Sequence, residues 1–318
     1  MFFQRSASGV SVLTPAKVNL YLELLAKRDD GFHELETIMA SVDLYDCIQV
    51  TPIPESEISL ECRWAKGQVQ TAEALGMAEL LLGDLPSAQD NLVWRAAERL
   101  RQAYDVAQGA HILVEKKIPA AAGFGGASSD AAATLFALNM AWELGLEIEQ
   151  LAKIAAELGS DVPFFLNTGT LGSGLAVCRG RGERIEELPP AKLHLVLIRP
   201  AGGLSTADVY REATIPTQPH ALDRMVSSLA EHDLRGIAAA MHNRLAAPAR
   251  KLSSEIDRLA IACDQLDVVA HQMSGSGSGY FALCRDRNHA HRVANHLKAQ
   301  HLGLVFPATT TGMIPLRH

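Results

Sequence analysis

No run of the 318 residues reaches the length of about eighteen consecutive apolar residues that a membrane span requires. The amino terminus, Met1-Phe2-Phe3-Gln4-Arg5, lacks the apolar core of a secretory signal, so the chain is expected to be a soluble cytoplasmic protein. Its five cysteines (Cys47, Cys62, Cys178, Cys263, Cys284) are scattered, with no Cys-x-x-Cys pair, which argues against a disulfide framework and a cysteine zinc site. There is no long basic run either. A net charge of −7 speaks against broad nucleic-acid binding and leaves room only for a local positive pocket suited to a phosphorylated metabolite. His289, His291 and His296 share one predicted helix without an i,i+4 pair backed by a carboxylate, so they read as a solvated face. With 48% hydrophobic and 20% charged residues the chain is neither disordered nor fibrous, and its length suits two domains.

What is present is a loop. Ile112 to Val114 read as a strand, and Pro119-Ala120-Ala121-Ala122-Gly123-Phe124-Gly125-Gly126-Ala127-Ser128-Ser129 follows it. An alanine-rich run with good helix propensity, Asp130 to Trp142, comes next. Strand, small-residue loop and helix start form an order that holds phosphate. Glycines let backbone N–H groups approach an anion, and a helix N-terminus adds free donors and a favourable dipole. The same residues would also make a plain turn whose serines cap a core helix. Neither common phosphate signature is met: Gly126 is followed by Ala127-Ser128 and not by Lys-Ser/Thr, and the Gly-x-Gly-x-x-Gly pattern fails at Ser128.

Around the loop, Ser11 to Leu25 alternates Val18, Leu20, Leu22 and Leu24 with Lys17, Asn19, Tyr21 and Glu23, as a strand does. Lys17 and Asn19 could line a cleft or simply face solvent. Lys27 to Gly31 is a turn, Glu36 to Val42 and Asp46 to Thr51 are further strands, and 71–84 looks helical. Asp90-Asn91 caps an amphipathic helix over Leu92 to Tyr104, and Ile148 to Leu158 is another helix closed by Gly159. Asp161, before Pro163, reads either as a helix cap or as a carboxylate facing a cleft. Gly169 to Leu188 resembles a crossover with strands at Leu171 to Cys178 and Arg184 to Glu187. Beyond it come a strand over Leu193 to Ile198 and helices over Leu222 to Ala230, Leu234 to Met241 and Leu252 to Cys263. A Ser/Gly loop, Met273 to Gly279, lies between strands at Val268 to Gln272 and Tyr280 to Cys284 and reads either as a second close approach of backbone or as a tight hairpin; the helix Arg287 to Ala299 follows.

Three signals, the Pro-x-x-x-Gly-x-Gly-Gly-x-Ser-Ser loop, the early Pro15-Ala16-Lys17-Val18-Asn19 strand and the late Gly-Ser-Gly-Ser-Gly hairpin, together resemble the GHMP kinase superfamily along nearly the full chain. Thr14 to Leu20, Arg28 to Leu35 and Gly159 to Phe164 are similar to the branch that phosphorylates 4-diphosphocytidyl-2-C-methyl-D-erythritol in the non-mevalonate isoprenoid pathway. The resemblance implies an α+β fold of two domains. Residues 1–188 would be a ribosomal-protein-S5-like ATP-binding domain, and residues 189–318 a ferredoxin-like sandwich on the substrate side.

It also implies roles. Asp161 becomes the base that takes the acceptor proton, and Lys17 its partner, offsetting charge on the transferring phosphoryl. Pro119 to Ser129 would cradle the phosphates of ATP, with Ser128 and Ser129 as hydroxyl contacts, Ser129 the candidate Mg2+ ligand and Asn91 on the purine side. Phe32 and His33 would stack on and hydrogen-bond the cytosine, Tyr210 would supply the second aromatic face, and Asn19 and Thr206 polar contacts. Two positions depart from the family's Gly-Leu-Gly-Gly-Gly-Ser-Ser pattern: Phe124 and Ala127 replace Leu and Gly. Ala127 is tolerable if that position is helical. Asp130 sets a negative charge beside a polyphosphate, to be offset by Mg2+ or by Lys117. A homoserine- or mevalonate-type kinase, or a non-catalytic ligand-sensing relative, is the competing expectation.

Overall fold

Two long antiparallel strands carry the first half of the chain in the computed structural model, which describes residues 1–82, 85–170 and 172–312. The elements run β1 (Phe2–Ser6), β2 (Gly9–Lys27), β3 (His33–Ile53), β4 (Ile58–Trp64), α1 (Lys66–Ala74), α2 (Ala78–Leu82), α3 (Leu92–Ala103) and β5 (Gly109–Lys116). Then come α4 (Gly126–Ala141), α5 (Ile148–Leu158), α6 (Val162–Thr170), β6 (Leu175–Gly180), β7 (Arg184–Glu187) and β8 (His194–Arg199). The remainder is α7 (Thr206–Glu212), α8 (Asp223–Ala230), α9 (Leu234–Ala240), β9 (His242–Asn243), α10 (Ala246–Leu252) and α11 (Ser254–Asp264). β10 (Ala270–Met273), β11 (Tyr280–Cys284), α12 (Arg287–Ala299) and β12 (Leu304–Thr309) complete it. The end of the helix expected at 71–84, the strand start at Leu171 and the last six residues lie outside the described residues.

One sheet has the order β1-β2-β3-β5-β4, with β6 and β7 added beyond β3 and the short β9 pairing in parallel with β2. The other is a four-stranded antiparallel sheet in the order β10-β11-β8-β12. Its chain order of strand, helices, strand, strand, helix, strand is that of a ferredoxin-like sandwich. An apolar layer joins the two sheets, with Val18, Leu20 and Ile38 of the first packed in one cluster with Leu195, Leu197 and Phe281 of the second.

Two sequence expectations change here. Glu36 to Val42 and Asp46 to Thr51 are one strand, because β3 bulges where Pro15 pairs with Tyr45 and Ala16 with Val42. Past that bulge β3 exchanges its partner β6 for β5. The polar side of β2 is not solvated: Lys17, Asn19, Tyr21 and Glu23 are all buried, beneath groups supplied by the second half of the chain.

Helix α4 starts at Gly126, so the last residues of the glycine loop are already its first turn. Ala131, Ala132, Ala133 and Ala137 are fully buried, and their small side chains let α4 lie close against β2, β3 and α3. The helix can therefore aim its N-terminus along the strand that carries Lys17.

Candidate active site

A cleft of about 1110 Å³ opens over the N-terminus of α4. Lys17, Asn19, Phe32, His33, Asn91, Pro119, Ala120, Ala121, Ala122, Gly123, Gly125, Gly126, Ala127, Ser128, Asp161, Thr206 and Tyr210 all line it. Residues scattered over nearly two hundred positions of sequence thus meet at one surface.

The Lys17 ammonium is buried and donates to Asn19 Oδ1 at 2.7 Å; it stands 3.3 Å from a carboxylate oxygen of Asp161. Asn19 is held in turn, donating from Nδ2 to Thr37 Oγ1 at 2.9 Å, and Thr37 donates to the Tyr21 carbonyl. That chain fixes which end of the Asn19 amide meets the ammonium. Asp161, just before α6, is 33% exposed at its side chain, so its carboxylate is open to the cleft. The main chain of Lys17 is fixed as well, its N–H donating to the Phe124 carbonyl at 2.9 Å.

The glycines are required where backbone meets backbone or the lysine. Gly125 has φ +73°, and a Cβ there would lie 2.8 Å from the Phe165 ring and 2.9 Å from Lys17 Cγ. Gly123, at φ +67°, would meet the Ser274 carbonyl at 2.3 Å. The late Ser/Gly loop is therefore seated on the early glycine loop. Ser274 cements the joint, donating to the Gly123 carbonyl at 3.0 Å and accepting from the Asn19 N–H at 3.3 Å. Asn243 holds the same loop from behind through the carbonyls of Met273 and Gly275. Ala127 sits in the first turn of α4, where no left-handed backbone is needed, so its departure from glycine carries no strain.

Two expected site residues are corrected. Ser129 is fully buried, its hydroxyl 2.6 Å from the Pro15 carbonyl and 2.5 Å from Thr14 Oγ1. It anchors α4 to β2 and does not line the cleft, which removes it as a metal ligand. The Phe124 ring is likewise core, packed against Gly279. Ser128 keeps its place at the cleft.

Asp130 is also corrected. It is offset by Lys116, not Lys117: the Lys116 ammonium is 2.5 Å from Asp130 Oδ2 and is also bonded to Asp46. All three are buried. Asp46 uses its other oxygen to accept the N–H groups of Lys117 and Ile118, which shapes the entry to the glycine loop. Burial and the neighbouring Asp46 push the Asp130 carboxyl well above the usual carboxylate range, against the pull of Lys116.

On the far wall His33 and Tyr210 lie with ring centroids 5.2 Å apart and planes at 37°. Burial, with Lys27 nearby, lowers the His33 pKa, so its imidazole is neutral at pH 7 and able both to donate and to accept. Burial and then Asp161 raise the Tyr210 phenol, which keeps its proton. Phe32 is half exposed and carries the Arg181 guanidinium 4.8 Å from its ring centroid, within cation–π range. Thr206 bonds Ser276 at 2.8 Å, closing the clamp onto the late loop. Asn91 caps α3, accepting from the Val93 N–H at 3.0 Å, and borders the cleft beside Cys62, Leu85 and Pro86. Sequence reading missed Arg181, Lys116, Asp46, Thr37 and Ser274. Arg181 lay in a stretch read as a crossover, but alternation along Ala110, Ile112, Val114 and Lys116 would have pointed Lys116 inward.

Residues 91–169 match the family model of the GHMP kinase N-terminal domain, and residues 225–302 that of the GHMP kinase C-terminal domain. The 4-diphosphocytidyl-2-C-methyl-D-erythritol kinase of Pelotomaculum thermopropionicum is 40% identical over 288 residues, covering 90% of this chain and 92% of the relative. A crystal structure of 4-(cytidine 5'-diphospho)-2C-methyl-D-erythritol kinase superposes with a TM-score of 0.74 at 31% identity, covering 95% of this chain and 100% of that one. Homoserine kinase from Cytophaga hutchinsonii, at 21% identity and a TM-score of 0.69 over 98% of this chain and 97% of that one, shares the fold. Identity at this level over nine-tenths of the chain decides the question: the chain belongs to the GHMP kinases and, among them, to the 4-diphosphocytidyl-2-C-methyl-D-erythritol kinase family.

Proposed function

We propose that the protein transfers the γ-phosphoryl group of ATP to the 2-hydroxyl of 4-diphosphocytidyl-2-C-methyl-D-erythritol, a step of the non-mevalonate isoprenoid pathway. The observation that carries the reading is the position of the Lys17–Asp161 pair, packed on Gly125 at one end and close to Tyr210 at the other. A phosphate loop and a pyrimidine clamp on either side of one carboxylate–ammonium pair suit in-line phosphoryl transfer, which needs positioning and charge stabilisation above all.

Asp161 accepts the proton of the acceptor hydroxyl as its oxygen attacks the γ-phosphorus and the bond to the β-bridging oxygen breaks, leaving ADP. Lys17, fixed by Asn19 and the Phe124 carbonyl, offsets charge on the transferring group. Backbone N–H groups of Gly126, Ala127 and Ser128 at the start of α4 face the phosphates. Phe32, His33 and Tyr210 hold the cytosine, with Thr206 beside them, and Asn91 borders the purine. Mg2+ binds through few protein oxygens beside substrate phosphates; the Ser128 hydroxyl and Asp130, whose buried Oδ1 has no hydrogen-bond partner, line this cleft and would be the oxygens to hold such an ion. When bound, it would neutralise phosphate charge.

We take residues 1–188 and 189–318 as the two domains, a reading supported by the change of sheet between β7 and β8, although β9 returns to the first sheet. Among the described residues no helix is long and apolar enough to cross a membrane. An ADP-release assay run with the cytidyl substrate, homoserine and mevalonate tests the function. Turnover with the first alone is expected; turnover only with either of the others, or none, would overturn it.

A further inference from the structure

Arg199 is the last residue of β8, and it is buried, with only 5% of its surface exposed. A cation in such a place is costly unless its donors are met. Glu255 attracts it without a hydrogen bond, and main-chain carbonyls meet the donors instead. Nε donates to Ala120 at 3.3 Å, Nη1 to Pro200 and, at 3.3 Å, to Gly202, and Nη2 to Leu80 of α2 at 3.5 Å. Ala120 belongs to the glycine loop, 79 residues earlier in the chain. We infer, given the kinase activity proposed above, that Arg199 is a positioning residue for the nucleotide: it turns the Ala120 carbonyl into the protein so that the Ala121 N–H faces the phosphates.

The backbone of the loop shows why one carbonyl matters. Ala121, Gly123 and Gly125 have positive φ, at +49°, +67° and +73°, and Ala122 and Phe124 between them do not. Alternation of this kind aims successive N–H groups at one point and makes a concavity for an anion. The carbonyls must then be held on the other side. Phe124 accepts the Lys17 N–H at 2.9 Å, and Gly123 accepts the Ser274 hydroxyl at 3.0 Å. The Ala122 carbonyl faces Gly279, where a Cβ would lie 2.0 Å from it.

Ala120 completes the set, and among the described residues no donor other than Arg199 reaches its carbonyl. In a trans peptide the carbonyl and the N–H that follows it point opposite ways. With the Ala120 oxygen drawn inward, the Ala121 N–H is turned outward, and Ala121 lines the cleft. Ala121 is also the one left-handed position of the three that carries a Cβ, a backbone that non-glycine residues rarely adopt unaided.

The other loop on Arg199 does not depend on it. The Gly202 carbonyl also accepts the Ser278 hydroxyl at 2.6 Å, and the Gly202 N–H donates to Glu255 at 2.6 Å. The segment that leads into α7 and Tyr210 is therefore fixed without the guanidinium. Loss of Arg199 should be felt at the nucleotide and not at the pyrimidine clamp. Lysine is a poor substitute, because an ammonium is a point charge, whereas the planar guanidinium addresses three segments at once.

The test uses the full chain and calorimetric titration of ATP, in millimolar Mg2+, and of the cytidyl substrate. Arg199→Lys keeps the buried charge and should keep the fold, yet bind ATP about tenfold more weakly, the weight of one hydrogen bond to a charged group. Arg199→Met should lose at least as much, and both variants should hold the cytidyl substrate as the parent does. In the parent, labelled at its alanines for magnetic resonance, the amide signal that Ala121→Gly removes should shift when ATP is added. An unmoved Ala121 amide, ATP affinity within about threefold of the parent in the folded variants, or equal weakening toward both ligands would each overturn the inference. Because binding is measured without turnover, a wrong acceptor assignment leaves these expectations in force, whereas a parent that binds no ATP overturns both readings.

Discussion

The ammonium of Lys17 and the carboxylate of Asp161 stand 3.3 Å apart, one buried and the other open to the cleft. That asymmetry suits the tasks proposed for them, the exposed carboxylate being open to a substrate hydroxyl while the buried ammonium lines the same cleft. Asp161→Asn should lower kcat by about 10²–10⁴-fold, the usual contribution of a positioned general base. Lys17→Met should act in the same direction, because it also releases Asn19 from its partner. Single-turnover ADP formation, on variants whose melting temperatures match the parent, provides the check. A rate within threefold of the parent in either variant would remove that residue from the chemistry.

Gly125→Ala tests how tightly the loop is fitted to the lysine. The substitution forces a left-handed φ on alanine and drives its Cβ into Phe165 and Lys17 Cγ. Stability should fall by about 1–3 kcal/mol. Activity should fall further than stability explains, since the displaced atom belongs to Lys17. Urea unfolding and turnover measured on the same preparation separate the two. Loss of stability with full kcat would mean that Lys17 tolerates displacement.

Much of the fold was legible because strand alternation and helix caps are local. α5, β7, β11 and α12 fall on their expected residues, and α3 differs by one. What sequence could not supply was burial arriving from far along the chain. Lys17, Asn19, Tyr21 and Glu23 read equally well as a wet strand face, and only β9, the Ser274 loop and the His220 segment make them interior. His289, read as solvated, is buried too, its Nδ1 accepting the nearby Arg285 N–H. The lysine beside Asp130 was misplaced by one residue, and on a strand one residue is the difference between two faces. Ser129 was misread because a serine at a phosphate loop and a serine anchoring a helix look alike until the hydroxyl's partner is known.

Tyr210 and His33 face one another at 5.2 Å, on α7 and at the start of β3. If they grip the cytosine, Tyr210→Ala should raise KM for the cytidyl substrate by about 5–150-fold, matching the loss of about 1–3 kcal/mol for one stacking partner. KM for ATP should change little. Steady-state kinetics with each substrate varied in turn decide it, and an equal rise in both constants would place Tyr210 outside the clamp.

Lys116 serves two buried carboxylates, so its removal should be far more damaging than removal of either partner. Lys116→Met leaves Asp46 and Asp130 facing one another without a cation, at a cost of about 3–5 kcal/mol. Asp130→Asn replaces a carboxyl whose ionisation burial and Asp46 already oppose, and should be tolerated better. Chemical denaturation of both variants ranks them; equal losses would show that the ion cluster acts as packing alone.

Glu23 gives a pH signature of its own. Burial would raise its pKa, but the hydrogen bonds from Arg244 and from the His220 and Leu24 N–H groups prevail and bring it from 4.5 to about 2. Between those values the unfolded chain binds a proton that the folded one does not, so stability rises with pH across that window. The contribution, about 3 kcal/mol, is complete above pH 4.5 and is lost as pH falls toward 2. By pH 3 about 2 kcal/mol of it should be gone. Glu23→Gln lacks this titration, so the stability gap between parent and variant should narrow from pH 6 to pH 3. Urea unfolding at several pH values measures the gap. A gap that stays constant would mean that Glu23 keeps an ordinary pKa, and that Arg244 does not hold it as an ion.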